Sequence, residues 1–297
     1  MAADRLIVSI FGMKSNQAMN ECFGKNFILN GDLHPSDHFD NSLVYKGDSI
    51  YEVIRLKRGI PVFFHDHMDR LESSLKHQRR NSLADTGEIR KDIIRLVRTE
   101  RKKDINLKLV FNFKGDSTSY LIYFIEPVYP TDEQYRKGVK GLLFNAERKD
   151  PESKVINHKL RSSIYQKLIL EKGYEALLVN EEGEITEGSR SNIFFLRDNV
   201  LVTAPDNKIL SGITRKYILD ICKEHKIKVE FYCMPLSSLP ECESVFMTGT
   251  SPMVLQFCCV GDVSYKVPAP LPERLRLLYI EKAEESLRRF AGETKTL

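Results

Sequence analysis

The sequence of 297 residues contains no tryptophan, only six cysteines, and no apolar run long enough to cross a membrane as a helix. The cysteines form no C-x-x-C pair and lack the density of a disulfide scaffold, so we expect reduced thiols. The N-terminus has neither the basic segment nor the cleavage site of a signal peptide. These absences favour a cytoplasmic protein.

Neither sign of charge dominates the chain. Its 45 lysines and arginines face 41 aspartates and glutamates, which leaves a formal charge of +4 without a basic block or tail. Such a balance gives no electrostatic reason to expect nucleic acid or a membrane as a partner.

The order of predicted elements indicates an α+β protein of two domains. Residues 1–126 are predicted to form a small N-terminal domain, in which a strand pair turns at Arg58-Gly59 and another at Gly115-Asp116. Between them lie two amphipathic helices, and Asp66 is a candidate cap for the first. Residues 127–135, with two prolines, form the predicted linker.

Residues 136–297 are predicted to form a larger C-terminal domain, again mixed and largely antiparallel. A helix is expected from Ser162 to Lys172, followed by a meander of strands with turns at Glu182-Gly183 and Asp198-Asn199. Another helix starts at "SGITR", and Pro272 is expected to open the C-terminal helix.

Two short stretches of small residues are candidate phosphate sites. "LSGITR" brings Gly212, Ile213 and Thr214 into the first turn of a predicted helix, where backbone N–H groups point outward. "MTGTSP" places Gly249 and Thr250 after a predicted strand. On the local pattern alone, an ordinary Ser-capped helix explains the first stretch better than a phosphate site does, and the second is just a turn. Neither stretch matches a dinucleotide or P-loop motif, so a single phosphomonoester fits better.

Three further residues, taken together with these two stretches, match the requirements of a single cofactor. Lys159 offers an amine, Arg70 a guanidinium for an anion, and Glu187 a carboxylate that alternation from Ile185 turns inward. Pyridoxal 5'-phosphate needs an amine, a phosphate cradle and a partner for its ring nitrogen. At about 3 Å and an effective dielectric of about 20, a carboxylate gains roughly 5 kcal/mol from a pyridinium before desolvation.

The motifs that carry these residues occur together in one known family. "GDSIYEVIR", "DHMDRLESS", "NHKLRSS", "EGEITEGSRSNIFF", "LSGITR" and "FMTGTSP" follow one another between "FILNG", near residue 27, and about residue 265. In this respect the chain resembles the class IV aminotransferases, fold-type IV pyridoxal phosphate enzymes that include branched-chain and D-amino-acid aminotransferases and aminodeoxychorismate lyase. The resemblance implies a homodimer whose larger C-terminal domain is α/β-barrel-like.

The same resemblance implies a role for each candidate residue. Lys159 would bond to the cofactor's aldehyde and later carry the proton between the substrate Cα and C4' of the cofactor, while Glu187 would bind the ring nitrogen. The implied phosphate ligands are Arg70, Gly212, Ile213, Thr214, Gly249 and Thr250. The expected residues of the substrate pocket are Tyr45, Tyr51, Arg55 and Lys108.

Several departures from the family bear on the substrate. Branched-chain enzymes usually carry an arginine and a nearby tyrosine where this chain has Lys108 and Asn106, and Ser163 replaces a frequent asparagine. The Arg/His loop of the D-amino-acid enzymes is absent from "KGDSTSYL", while "SPMVLQFCCVGDVSY" is similar to the lyase branch. We expect the protein to transfer an amino group between a branched-chain-like amino acid and a 2-oxo acid. The alternative is the lyase reaction, which releases pyruvate and 4-aminobenzoate.

Two other functions compete with this interpretation. "FHDHMD" places His65 and His67 beside two aspartates, as in a metal-dependent hydrolase, but such a site needs further clustered ligands, so no metal is expected. A non-catalytic carrier of pyridoxal phosphate is the second alternative. The presence of both Lys159 and Glu187 argues against it, because a carrier needs no electron sink.

Overall fold

The computed structural model describes residues 20–148, 151–156 and 158–294, with side chains in the last range from Leu160 to Glu293. The chain forms two compact units. The first contains the described residues up to 128 together with 153–156 and those from 283 onward, and the second contains 129–152 and 158–282. This division differs from the predicted bounds of 1–126, 127–135 and 136–297, because two later segments pack with the N-terminal residues. For example, Tyr51 donates its backbone N–H to the carbonyl of Lys154.

The first unit is built on one antiparallel sheet. Its strands are β1 (Asn26–Leu29), β2 (Asp32–Pro35), β3 (Asp48–Lys57), β4 (Ile60–Pro61), β5 (Ile105–Lys114) and β6 (Ser117–Ile125). They are ordered β2-β1-β6-β5-β3-β4. The predicted turns are confirmed: Arg58 and Gly59 both have positive φ, as a tight hairpin with right-handed twist requires.

Helices cover one face of this sheet. The two long helices, α2 (Phe64–His77) and α3 (Thr86–Glu100), lie on this face. Helix α1 (Ser42–Tyr45), after a 3-10 turn at Ser36–His38, lies on the opposite face, where its Val44 packs with Val110 and Tyr123. Met68, Leu71 and Leu75 of α2 are buried against the sheet, as their spacing predicts. The prediction that Asp66 caps α2 is wrong, because the helix begins two residues earlier, after Phe63 in the left-handed conformation.

The second unit carries a larger mixed sheet. Its strands are β7 (Val139–Asn145), β8 (Glu175–Val179), β9 (Glu184–Gly188), β10 (Asn192–Arg197), β11 (Val200–Thr203), β12 (Val229–Phe231), β13 (Met234–Pro235), β14 (Ser244–Gly249), β15 (Met253–Val260) and β16 (Val263–Ser264). They are ordered β12-β11-β10-β14-β15-β7-β8-β9-β13, with β16 on β15. Three pairs, β7–β8, β7–β15 and β11–β12, are parallel.

Four helices accompany this sheet or continue from it. They are α4 (Asp132–Lys137), α5 (His158–Leu170), α6 (Ile213–Glu224) and α7 (Pro270–Thr294), with 3-10 turns at Asp206–Lys208 and Leu236–Glu241. The chain enters the second unit through α4, which Thr131 caps. The last helix belongs to the second unit up to residue 282 and to the first from residue 283.

Three sequence predictions about the second unit are wrong in detail. Helix α5 begins at His158 rather than Ser162, which places Lys159 in its first turn, and α7 begins at Pro270 rather than Pro272. Strands β9 and β10 are not sheet neighbours, so no continuous meander forms. The N–H of Gly188 binds the carbonyl of Ser191 at 2.7 Å, and this tight turn sends β10 away from β9.

The mixed helix and sheet architecture itself is confirmed. Each unit has its own apolar core, one around Ile54, Leu107 and Phe111 and the other around Ile193, Val245 and Phe257. Among the described residues, no helix combines the length and apolar character needed to span a bilayer.

Candidate active site

Glu187 lies at the buried end of β9 and is only 2% exposed. Its Oε1 accepts a hydrogen bond from Nε of Arg148 at 2.7 Å, and its Oε2 accepts one from the backbone N–H of Leu210 at 3.3 Å. A buried carboxylate is costly unless a cation and hydrogen bonds meet it, and here both do. Glu187 is therefore held as an anion at a fixed place in the second unit.

The loop after Glu187 is fixed by a second buried carboxylate. Glu175 accepts hydrogen bonds from the hydroxyls of Ser189 at 2.5 Å and Ser191 at 2.9 Å. A Cβ at Gly188 would lie 2.1 Å from the Ser191 hydroxyl, so this position requires glycine. Together these contacts explain the small residues of "EGSRS": they let the chain turn sharply between Glu187 and β10.

The predicted phosphate cradle forms at the start of α6. Gly212 is the N-cap residue, and no side chain of the described residues caps the helix. As at every helix start, the first-turn N–H groups, here including those of Ile213 and Thr214, have no partner within the helix. A Cβ at Gly212 would lie 2.0 Å from Oδ1 of Asn192. Asn192 cannot easily give way, because it is buried and its Nδ2 donates to the carbonyl of Leu210 at 2.8 Å.

Two other contacts hold this first turn in place. The guanidinium of Arg215 is buried and donates to the carbonyl of Ala204 at 2.9 Å and to Asp206. The hydroxyl of Thr214 lies 3.2 Å from that of Tyr279, on α7. The arginine of "LSGITR" is thus a structural anchor for the loop and helix that carry the cradle.

A buried hydroxyl beside this cradle has no hydrogen-bond partner in the described part of the chain. Thr248 is 1% exposed, and its Oγ1 is unpaired, as is the Oγ of Ser244 on the same strand. Thr248 is the cross-strand partner of Asn192, so both side chains lie on the same face of the sheet. Asn192 contacts Leu210 and Gly212, so Thr248 lies on the sheet face that carries this segment.

The remaining candidates of the second unit lie on neighbouring elements. Gly249 ends β14 and Thr250 follows it, half-buried. Lys159 is the second residue of α5, and its side chain lies outside the described residues, so its role stays a prediction. Helix α5 packs on β8 through Ile164 and Leu168.

Arg70 is tied to a buried carboxylate in the first unit. Its Nε and Nη2 donate to Glu52 at 2.8 and 2.6 Å, and Nδ1 of His67 lies 2.7 Å from the same carboxylate. Burial alone would raise the pKa of Glu52, but the charge and hydrogen bonds of Arg70, with that of His67, hold it at about 2. Burial lowers the pKa of His67, so the neutral ring donates its Nδ1–H to Glu52. Glu52 therefore fixes the direction of the Arg70 guanidinium.

The expected pocket residues share one face of the first sheet. Tyr51 and Arg55 alternate on β3, and Lys108 on β5 points to the same side. The ammonium of Lys108 lies 5.5 Å from the ring centre of Tyr45 and 5.4 Å from that of Tyr51. The structure thus brings Tyr45, Tyr51 and Lys108 into direct contact.

The two histidines of "FHDHMD" bind different carboxylates. His65 lies 2.9 Å from Glu293, whereas His67 contacts Glu52. Within residues 20–148, 151–156 and 158–294, no group of three or more His, Cys, Asp or Glu converges as metal ligands would. Each histidine is accounted for by a hydrogen-bond contact with its own carboxylate.

The residues that sequence reasoning missed are Arg148, Asn192, Glu52 and Glu21. Asn192 and Glu52 lie inside recognised motifs, "EGEITEGSRSNIFF" and "GDSIYEVIR", so the motifs themselves could have pointed to them. Arg148 and Glu21 lie outside them, in "NAERKD" and "NECFG", where a charged residue looks like surface.

The sequence profile of the amino-transferase class IV family matches residues 49–258. The chain belongs to this family. Its matched region contains every described motif from β3 to β15, including the Glu187 strand and both phosphate loops.

Relatives within the family carry two kinds of reaction in their names. The chain is 26% identical to D-alanine aminotransferase of Bacillus licheniformis over 237 residues, which are 76% of this chain and 83% of that protein. It is 23% identical to aminodeoxychorismate lyase of Bacillus subtilis (strain 168) over 271 residues, 86% of this chain and 92% of that one. The family thus contains both aminotransferases and a lyase.

The fold has a similar counterpart among solved structures. The T.th. branched-chain amino acid aminotransferase, solved with pyridoxamine 5'-phosphate, superposes with a TM-score of 0.79 at 23% identity. The match covers 91% of this chain and 98% of that chain. The fold-type IV architecture is therefore confirmed.

Proposed function

We propose that this class IV family member is a pyridoxal phosphate-dependent aminotransferase that moves an amino group between a branched-chain-like amino acid and a 2-oxo acid. The observation that carries the proposal is the pairing, within one unit, of the buried Glu187 carboxylate with an uncapped helix start at Gly212. The carboxylate can accept a hydrogen bond from a protonated ring nitrogen. The N–H groups at the helix start can bind an anion.

The described residues fit this cofactor. Its phosphate needs backbone N–H groups and a hydroxyl, and the first turn of α6 and the unpaired Thr248 hydroxyl offer both. Its ring nitrogen needs a carboxylate that is already ionised, which the Arg148 contact to Glu187 supports. When bound, the cofactor supplies an electron-withdrawing ring that stabilises negative charge at the substrate Cα.

Each residue of the chain then has a limited task. Glu187 would keep the ring nitrogen protonated. The N–H groups of Ile213 and Thr214, together with Thr250, would hold the phosphate, and Gly212 and Gly249 would allow its close approach. The Lys159 amine would remove the proton from the substrate Cα and deliver it to C4' of the cofactor. Arg70, which Glu52 orients, is proposed to supply a positive charge to the phosphate.

The lyase reaction is the second candidate. Its support is the match to aminodeoxychorismate lyase, which extends over 92% of that protein's length. In favour of transamination, the first unit presents a tyrosine-rich face whose one buried lysine, Lys108, is neutralised by Glu21 at 2.7 Å. A lysine neutralised in this way does not offer its charge to the dicarboxylate of aminodeoxychorismate. A homodimer and a cytoplasmic location stay predictions.

The test starts with cofactor binding. Purified protein reconstituted with pyridoxal 5'-phosphate should absorb visible light, and borohydride should fix the cofactor onto Lys159 in peptide mapping. Lys159→Ala should remove this signal, whereas Lys167→Ala, which removes another lysine of the same helix, should retain it. A colourless protein that takes up no cofactor would contradict the proposal.

The reaction is then decided with a panel of L- and D-amino acids and aminodeoxychorismate. Conversion of the bound cofactor to its pyridoxamine form by an amino acid marks an aminotransferase. Pyruvate release without that conversion marks the lyase.

A further inference from the structure

Lys108 is a buried cation enclosed by aromatic rings. It is 2% exposed, and its Nζ lies 5.5, 5.4 and 5.8 Å from the ring centres of Tyr45, Tyr51 and Tyr123. Rings at these distances attract a cation through their electron-rich faces, more strongly where water is excluded. They do not cancel its charge, so a buried ammonium still needs an anion.

That anion is Glu21, which approaches from the segment before β1. Its Oε1 accepts a hydrogen bond from Nζ of Lys108 at 2.7 Å. Its Oε2 accepts from the hydroxyls of Tyr45 at 2.7 Å and Tyr123 at 3.1 Å. The Glu21 backbone N–H donates to Oδ1 of Asn41 at 3.1 Å, which fixes the segment.

One ammonium and two hydroxyls that converge on a carboxylate form a carboxylate-binding site. Here the chain fills this site with its own side chain. Burial and the nearby Glu21 raise the pKa of Tyr123 well above its ordinary value, so its hydroxyl remains a donor. The donor set is therefore complete at neutral pH, and its charge is balanced internally.

We propose that Glu21 determines substrate specificity: by neutralising Lys108 it makes the tyrosine-lined pocket select uncharged side chains and reject a second carboxylate. The inference rests on the proposed function, because it takes Tyr45, Tyr51 and Lys108 as pocket residues. It assigns to Glu21 no contact with the reacting atoms. A purely structural Glu21 would stabilise the first unit without changing which substrates bind.

The decisive variant is Glu21→Gln, which keeps the shape and removes the charge. Lys108 then lacks an anion, and an acidic substrate or 2-oxoglutarate can supply one. We expect the ratio of kcat/KM for acidic over neutral aliphatic amino acids to rise on the order of tenfold or more. The matched control is Glu100→Gln, since Glu100 binds the backbone of Lys25 in the same N-terminal segment but no buried lysine. It should leave the ratio unchanged.

Two further variants test the charge itself. The double variant Glu21→Gln with Lys108→Met should return the ratio toward the wild-type value, because no unpaired cation remains. Lys108→Met alone removes the ammonium that balances the Glu21 charge and should lower the ratio below wild type. If Glu21→Gln fails to fold, Lys108→Met alone tests the inference. A lower ratio of kcat/KM for acidic over neutral amino acids supports the inference, and an unchanged ratio overturns it.

A binding measurement separates this inference from the proposed function. Succinate, a dicarboxylate that cannot react, should bind Glu21→Gln in calorimetry and bind wild type at least about tenfold more weakly. If wild type takes up pyridoxal phosphate but Glu21→Gln neither shifts the ratio nor binds succinate, the inference is wrong and the function stands. If wild type takes up no cofactor, the proposed function is wrong and succinate binding alone decides whether Lys108 is a masked carboxylate site.

Discussion

Arg148 donates its Nε–H to Oε1 of Glu187 over 2.7 Å, so the buried carboxylate of β9 is paired with a guanidinium before any cofactor arrives. Arg148 is about a fifth exposed, whereas Glu187 is almost fully enclosed. At about 3 Å and an effective dielectric of about 20, the pair gains roughly 5 kcal/mol before desolvation. The same charge that keeps Glu187 ionised also moderates its basicity toward a ring nitrogen.

Removal of this partner should make catalysis depend on pH in a new way. In Arg148→Met the buried Glu187 loses its guanidinium partner, so its pKa should be higher than in wild type. We expect kcat/KM to fall about tenfold or more at neutral pH and to recover part of the loss as pH rises and the carboxyl ionises. The measurement is kcat/KM against pH for both proteins. If the ratio of kcat/KM in the variant to that in wild type does not change with pH, Arg148 contributes only to packing and not to the ionisation of Glu187.

The unpaired Thr248 hydroxyl should destabilise the cofactor-free protein and should increase its affinity for pyridoxal phosphate. Thr248→Val keeps the shape of the side chain and removes the hydroxyl, so the cofactor-free protein should be equally or more stable, by up to about 2 kcal/mol. A hydrogen bond to a charged phosphate is worth about 1.5–3 kcal/mol, so the Kd for pyridoxal phosphate should rise about tenfold or more. Thermal unfolding and absorbance titration measure the two effects.

Ser244 provides the matched control for Thr248. It is also buried, unpaired and on β14, but it lies opposite Leu196 rather than Asn192. Ser244→Ala should therefore leave the Kd unchanged. Equal Kd values for wild type and Thr248→Val would show that Thr248 does not contact the phosphate.

Glycine at position 212 should be required for the cradle. In Gly212→Ala the new Cβ would collide with Oδ1 of Asn192, whose amide is held by Leu210, so either the loop or β10 must shift. We expect about 1–3 kcal/mol of destabilisation and a loss of cofactor affinity of at least about tenfold. Gly292→Ala is the control: it lies in a helix with open space around its Cβ and should be neutral or slightly stabilising. Retention of full affinity in Gly212→Ala would contradict the proposed cradle.

The sequence predicted best where the determining signal is local. The spacing of Met68, Leu71 and Leu75 predicted α2, and the paired glycine turns predicted the hairpins of the first sheet. The start of α5 was missed because the polar residues before Ser162 show no apolar periodicity. The place of β10 was missed because its neighbours in the sheet, β11 and β14, depend on the whole topology.

The same distinction applies to the candidate site. Glu187, Gly212 and Thr250 belong to compact motifs, so their presence was recognisable although their roles remain to be tested. Arg148 reaches Glu187 across 39 positions, and Glu21 reaches Lys108 across 87. Long-range ion pairs of this kind leave no spacing in a single sequence, and a charged residue far from its partner looks like solvated surface.

Glu52, buried between Arg70 and His67, should make stability depend on pH in the acid range. Its pKa of about 2 in the folded protein lies below the ordinary value of 4.5, so its stabilisation is complete above pH 4.5 and is lost as pH falls toward 2. A shift of this size corresponds to about 3 kcal/mol, and removal of one partner of a buried ion pair costs a similar amount.

Glu52→Gln should therefore be about 3 kcal/mol less stable than wild type at pH 7, with the gap narrowing below pH 4.5. The measurement is urea unfolding of the cofactor-free proteins between pH 7 and the lowest pH at which wild type is folded. Glu72→Gln is the control on α2, the helix that carries Arg70 and His67: its pair with Lys76 is exposed, so it should change stability by less than about 0.5 kcal/mol at any pH. Parallel pH curves for wild type and Glu52→Gln would mean that Glu52 is protonated in the folded protein, and Arg70 would then lack the anion that orients it.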